Sequence, residues 1–141
     1  MKILSSVYQE IISNCSLTIE SGGIIGLSSD IITHYQFDVP TDLSQYYYQP
    51  NTDNLNSVIY EWQQNNIQFA GIFHSHPTGI TSLSANDEEY IKVIMNSIPL
   101  STLYFPIVAP KTNIQFYKAS ISQNDMVIIS NEPITLVNQS I

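Results

Sequence analysis

The sequence predicts an α/β domain, a single mixed β-sheet with helices packed against it, spanning residues 1–141. Three observations carry this prediction. Segments with helical spacing alternate with extended runs along the whole chain, in the order α-β-β-α-β-α-β-β-β. The length of 141 residues fits one domain, with no internal repeat, low-complexity tract or linker to divide it. The composition, 43% hydrophobic and 11% aromatic, supplies a core without any disulfide or structural metal.

The first helix is predicted over 2–13, where Ile3, Leu4, Val7, Ile11 and Ile12 fall on one face and Gln9 and Glu10 off it. Ser16–Leu27 is extended and apolar, broken by Gly22, Gly23 and Gly26, and Ile31–Phe37 is rich in β-branched and aromatic residues. A Ser-Ser-Asp turn joins these two strands. Pro40, Pro50 and three consecutive tyrosines make 38–50 a loop. Leu55, Val58, Ile59 and Trp62 at i, i+3, i+4 and i+7 then define a helix running to about Asn65. Ile67–His74 alternates as a strand that ends at the histidines, and Ile91, Ile94, Met95 and Ile98 mark a third helix over 84–97. Thr102–Val108, Ile114–Ala119 and Met126–Ile129 are three further extended runs. Pro106 implies an edge or a bulge in the first, and the residues from Pro133 onward are too few to assign.

The formal charge of −8 and the absence of arginine speak against nucleic acid as a partner, because phosphate neutralisation requires clustered cations. The acidic field suits a basic peptide or protein, and it also serves plain solubility. The single Cys15 excludes an intramolecular disulfide and a cysteine-rich zinc site. No apolar run reaches the length of a membrane span, and Gln9 and Glu10 interrupt the N-terminal apolar segment. The expectation is a cytoplasmic protein.

Chemistry concentrates in residues 74–87, HSHPTGITSLSAND. His74 and His76, at i and i+2 on a strand end, point to the same side of the sheet. With Asp87 they make a three-ligand set, which for a catalytic zinc leaves one open position and favours a water activated near neutral pH. Ser84 and Asp87 have a second explanation: S-x-x-D before an apolar helical run is a capping box. The two explanations are compatible, since a helix N-terminus favours negative charge and can fix a carboxylate ligand. Ser84 either caps through its side chain or turns its hydroxyl to a water in the site. Glu88 and Glu89 lie on the solvated side of the helix, so the general base must come from elsewhere. Glu20 is the best candidate, because a carboxylate in so apolar a strand is costly without a partner. The alternative for Glu20 is an exposed position on an edge strand. His34 is assigned a structural role.

Taken together, Glu20 with the following G-G-I-I-G, then G-I-F-H-S-H-P and S-x-x-D, resemble the signature of the JAMM (MPN or JAB-domain) metalloproteases. That signature is a glutamate, then H-x-H, seven residues, and S-x-x-D. Here it is matched by Glu20, His74-Ser75-His76, residues 77–83 and Ser84-Ala85-Asn86-Asp87, and the resemblance extends over about residues 3–118. It implies a cytidine-deaminase-like α/β fold with one zinc ion on His74, His76 and Asp87. It also implies Glu20 as general base and Ser84 as a hydrogen-bond donor to the oxyanion or water. The implied partner is a ubiquitin-like or sulfur-carrier protein whose C-terminal Gly-Gly threads a narrow groove, with cleavage of the peptide or isopeptide bond that follows it. Two departures stand out. Ser21 occupies a position where many relatives carry cysteine, and the loops at 38–50 and 96–102 are short compared with the insertions that grip ubiquitin in eukaryotic deubiquitinases, which speaks against polyubiquitin linkage specificity. A catalytically silent scaffold of the same family and a metal-dependent hydrolase of a small amide are the competing functions. A DNA-repair role, known for distant relatives, conflicts with the charge.

Overall fold

In a computed structural model, residues 1–39, 48 and 50–138 are described. The elements, in chain order, are β1 (Lys2–Leu4), α1 (Ser5–Asn14), β2 (Gly22–Ser28), β3 (Ile31–Phe37), α2 (Thr52–Gln64) and β4 (Gln68–Ser75). They continue with α3 (Ala85–Ser97), β5 (Thr102–Tyr104), β6 (Ile107–Ala109), β7 (Asn113–Gln115), β8 (Tyr117–Ile121), β9 (Val127–Asn131) and β10 (Thr135–Val137). Among the described residues this is a mixed α/β domain with one sheet and three helices. Of the predicted loop at 38–50, only residues 38, 39, 48 and 50 are among those described.

The strand order is β10-β1-β3-β2-β4-β5-β8-β9, with β6 and β7 branching from β4. Strands β9 and β10 stand at opposite ends of that order, yet only residues 132–134 separate them in sequence. The sheet is therefore curled, its two ends brought round to each other. The N-terminal ammonium of Met1 clasps this seam, bonding Glu132 Oε2 at 3.1 Å and the Pro133 carbonyl at 3.0 Å.

Period-two alternation along β2 and β4 separates two cores. Ile25 and Phe73 face α1 with Ile3, Val7, Ile11 and Val108, whereas Ile24 and Ile72 face α2 and α3 with Leu55, Trp62, Ile91 and Met95. From Gly71 to Ser75 on β4 and Gly22 to Ile25 on β2, before the register shift at Gly26, the even-numbered residues thus lie on the α2/α3 side, and this parity decides where the site forms. Gly71 is required by packing: a Cβ there would strike the carbonyl of Tyr104 on β5.

Three differences from the sequence expectation have physical causes. Residues 2–4 form a strand, not the first turn of α1, because parallel pairing with β3 and β10 claims the backbone of Ile3. Thr102–Val108 is two strands in the interior of the sheet; Pro106, with no N–H to give, marks the break, and its carbonyl accepts from the N–H of His74 at 3.2 Å. Glu20 lies outside the strand, since β2 begins only at Gly22.

Candidate metal centre

β4 runs antiparallel to β2 in a register that sets Gly22 against His74. β2 starts at that pair, while β4 runs one residue further, to Ser75. Ser75 donates its N–H to the Ser21 carbonyl at 2.8 Å, and Glu20, the next residue back, enters the same cavity as His74 and His76. Alternation along β4 puts His74 and His76 on the α2/α3 side of the sheet, and Glu20 lines the cavity on that side with them. The N-terminus of α3 completes the group. Ser84 Oγ accepts from the Asp87 N–H at 3.1 Å, and Asp87 Oδ2 accepts from the Ser84 N–H at 2.9 Å. The capping box is thus fully formed. It fixes the Asp87 side chain against the histidines: Oδ1 is 2.9 Å from His74 Nε2, and Oδ2 is 3.3 Å from His76 Nε2.

The two histidine Nε2 atoms are 3.2 Å apart. Ligands around a tetrahedral zinc, with bonds near 2.0–2.1 Å, stand about 3.3 Å from one another. The three side chains are therefore already spaced to surround one small ion, and they form the group of metal-ligating residues found among those described. The tautomer of His76 agrees. Its Nδ1 lies 2.7 Å from the Ile80 carbonyl, which can only accept, so Nδ1 carries the proton and the neutral ring presents a lone pair at Nε2. The donor set fits a divalent transition metal.

Electrostatics at the centre follow from these contacts. Burial works to raise the Asp87 pKa, but hydrogen bonds from His74, His76 and the Ser84 backbone hold it well below the usual carboxylate range. His76 is raised above its ordinary value by its hydrogen bond to Asp87, against burial, with help from the Ile80 carbonyl and the charge of Glu20. The centre is a partly enclosed acidic pocket whose natural counterpart is a cation.

A cavity of about 570 Å³ opens over the group and is lined by Glu20, His74, His76, Ser84, Tyr48 and Tyr90, among others. All five residues expected from sequence are thus brought to one place, whereas His34 sits apart, exposed and edge-on to Trp62. Glu20 is half-buried, with Oε1 accepting from the Tyr48 N–H at 2.9 Å. Ser84 uses its oxygen as an acceptor in the cap, which leaves its O–H free to donate into the cavity. Glu88 and Glu89 are exposed, as expected.

Sequence reasoning missed two tyrosines. Tyr48 lays its ring against Gly22, where an added Cβ would meet it at 2.5 Å, and its hydroxyl bonds Asp38 at 2.8 Å. Tyr90 stands edge-on to His74, and its buried hydroxyl has no hydrogen-bond partner among the described residues. Burial, with the charge of Asp38, keeps both phenols protonated far above their ordinary range. Tyr90 was legible in principle, because it follows Asp87 by three positions and so shares its helix face. Tyr48 carries no such periodic signal.

No family model and no curated protein matches the chain. Among solved structures, the solution structure of a protein from Desulfitobacterium hafniense is similar, with a TM-score of 0.72 and 16% identity, covering 98% of this chain and 93% of that one. The solution structure of a Salinibacter ruber protein is similar at a TM-score of 0.56 and 14% identity, covering 97% and 92%. At these identities the likeness establishes a shared α/β fold. None of the helices among the described residues is long and apolar enough to cross a membrane.

Proposed function

We propose that the chain is a zinc-dependent peptidase or isopeptidase of the JAMM (MPN) type, with the cytidine-deaminase-like fold that this implies. Its proposed substrate is the bond after the C-terminal glycines of a ubiquitin-like or sulfur-carrier protein. The observation that carries the reading is the convergence of His74, His76 and Asp87 with a carboxylate from a distant segment, Glu20, in one cavity. A structural metal site needs its ligands alone; a hydrolytic one needs a base beside them.

In this reading His74, His76 and Asp87 hold the ion. When bound, zinc supplies a Lewis acid that polarises the scissile carbonyl and lowers the pKa of water. Glu20 accepts the proton that the attacking water loses as its oxygen adds to the carbonyl carbon. The Ser84 hydroxyl donates to the carbonyl oxygen as negative charge develops there. Glu20 then returns its proton to the departing nitrogen as the C–N bond breaks, giving a free amine and a carboxylate. The tyrosine rings of Tyr48 and Tyr90 narrow the approach, which favours a chain end without side chains.

One observation favours a second reading, hydrolysis of a small amide. β2 and β4, which flank the centre, are each paired on both sides, so neither offers a free edge to a substrate strand. A panel of Gly-Gly-tailed fusion proteins and small acyl amides, assayed with and without chelator, separates the two. Chelator-sensitive cleavage of the fusions after the second glycine supports the peptidase; cleavage of small amides alone supports the other. A protein that binds zinc and cuts neither behaves as a silent scaffold.

A further inference from the structure

Ser75 stands between the two histidines with its side chain on the opposite face of β4, and it is completely buried. A serine there is unexpected: its neighbours on that face, Phe73 and Val108, are core hydrophobes, and a buried hydroxyl is costly unless it is bonded. Its bonds explain it. Ser21 and Ser75 face each other across the β2–β4 pair, where a closed antiparallel ladder exchanges two main-chain bonds. Only one is made. The Ser75 N–H goes to the Ser21 carbonyl at 2.8 Å, but the Ser21 N–H goes to Ser75 Oγ, also at 2.8 Å. The side chain has taken the place of its own carbonyl. The regular ladder stops here, and β2 begins at Gly22, two residues after Glu20. Ser21 Oγ continues the network by accepting from the Ser16 N–H at 3.1 Å, and the buried Cys15 thiol sits within hydrogen-bond reach of Ser75.

We propose that Ser75 is a positioning residue for Glu20: by holding the Ser21 N–H it peels the chain from the ladder and fixes where the Glu20 carboxylate stands over the metal-binding group. Ser75 touches neither the ion nor the substrate; it acts through the backbone of Ser21. The catalytic consequence rests on Glu20 being the base, as proposed above, whereas the positional consequence does not.

The test compares Ser75→Ala and Ser75→Thr with the wild-type chain, all loaded with zinc. Ser75→Ala leaves the Ser21 N–H free to take the carbonyl of residue 75, so the ladder closes and the fold is kept. The Tyr48 amide, bonded to Glu20 Oε1, reports the position of the carboxylate without any need for turnover. In Ser75→Ala the Tyr48 amide is expected to exchange with deuterium about tenfold faster, as befits one lost hydrogen bond. Zinc affinity, set by side chains on the other face, is expected to stay within about threefold. On a Gly-Gly-tailed fusion, kcat falls about a hundredfold with KM unchanged, the cost of a base misplaced by about 1 Å. Ser75→Thr, which keeps the Oγ, restores both the amide protection and kcat. Unchanged Tyr48 protection in Ser75→Ala overturns the proposal, as does wild-type kcat in that variant. If the wild-type chain cuts no fusion at all, that result counts against the Gly-Gly-tailed substrate, and the amide exchange still decides whether Ser75 places Glu20.

Discussion

Ser84 has two tasks in this account, capping α3 and donating a hydrogen bond to the reacting carbonyl, and the structure allows them to be separated. Ser84→Ala removes the acceptor that holds the Asp87 N–H at 3.1 Å. Loss of an N-cap of this kind costs about 1 kcal/mol, whereas glycine at the same position costs only a few tenths. For a chain of 141 residues the alanine variant should melt about 3–5 °C lower and the glycine variant within about 1 °C of wild type. Both variants keep zinc, because the second half of the capping box, Ser84 N–H to Asp87 Oδ2 at 2.9 Å, is main chain and survives either change. Both should nevertheless lose turnover by about 10²–10³-fold, the typical cost of removing one donor to an oxyanion. Ser84→Thr keeps cap and hydroxyl and should restore both properties. The assay pairs thermal melts with hydrolysis of a Gly-Gly-tailed fusion. If Ser84→Gly retains wild-type turnover, the hydroxyl does no chemistry and Ser84 is a cap alone. If both variants lose zinc, Ser84 acts only through Asp87.

Two further outcomes are expected. Glu20→Gln keeps the volume and the hydrogen bond from Tyr48 but cannot take a proton, so zinc content stays at wild-type level while kcat falls by about 10²–10⁴-fold; a variant that stays active removes Glu20 from the mechanism. In the metal-free chain, the raised pKa of His76 contributes stability that is fully present below its ordinary value of 6.5 and is lost as pH rises through the folded value. The lowered pKa of Asp87 contributes stability present above 3.8 and lost as pH falls toward the folded value. The metal-free melting temperature should therefore decline from about pH 6 to pH 8. Added zinc, which competes with protons for His76, should reverse that slope, and melts at fixed ionic strength in the two states check the sign.

The centre was legible in the sequence wherever its signal is local. S-x-x-D ahead of an apolar helical stripe is a short-range pattern, and α3 starts at Ala85 with Ser84 as its cap. The histidine pair was legible because alternation along a strand places i and i+2 on one face. What resisted reading depends on pairing between distant segments. Ile3 and Leu4 continue the hydrophobic stripe of α1, and nothing local says that β3 and β10 will claim them as a strand. β10 has only three residues and exists because the sheet curls back to β1. Glu20 is legible as a carboxylate in apolar surroundings; its place beside the histidines depends on the Gly22–His74 register of β2 and β4, which no single strand encodes. The glycines after it proved to serve packing, against Tyr48 at Gly22 and Trp62 at Gly26, inside a strand already paired on both sides. Ser75 was visible as the middle of H-S-H, but its exchange of a side-chain oxygen for a ladder carbonyl shows only in three dimensions.

Zinc content tests most directly whether His74, His76 and Asp87 form a metal centre. The chain, purified without chelator and measured by atomic spectrometry against protein concentration, should hold one zinc ion per chain, as the three-ligand set implies. His74→Ala, which removes one of the two imidazoles, should hold essentially none while remaining folded. A wild-type chain that takes up no zinc with all three side chains intact, or a His74→Ala variant that binds it equally well, would contradict the assignment.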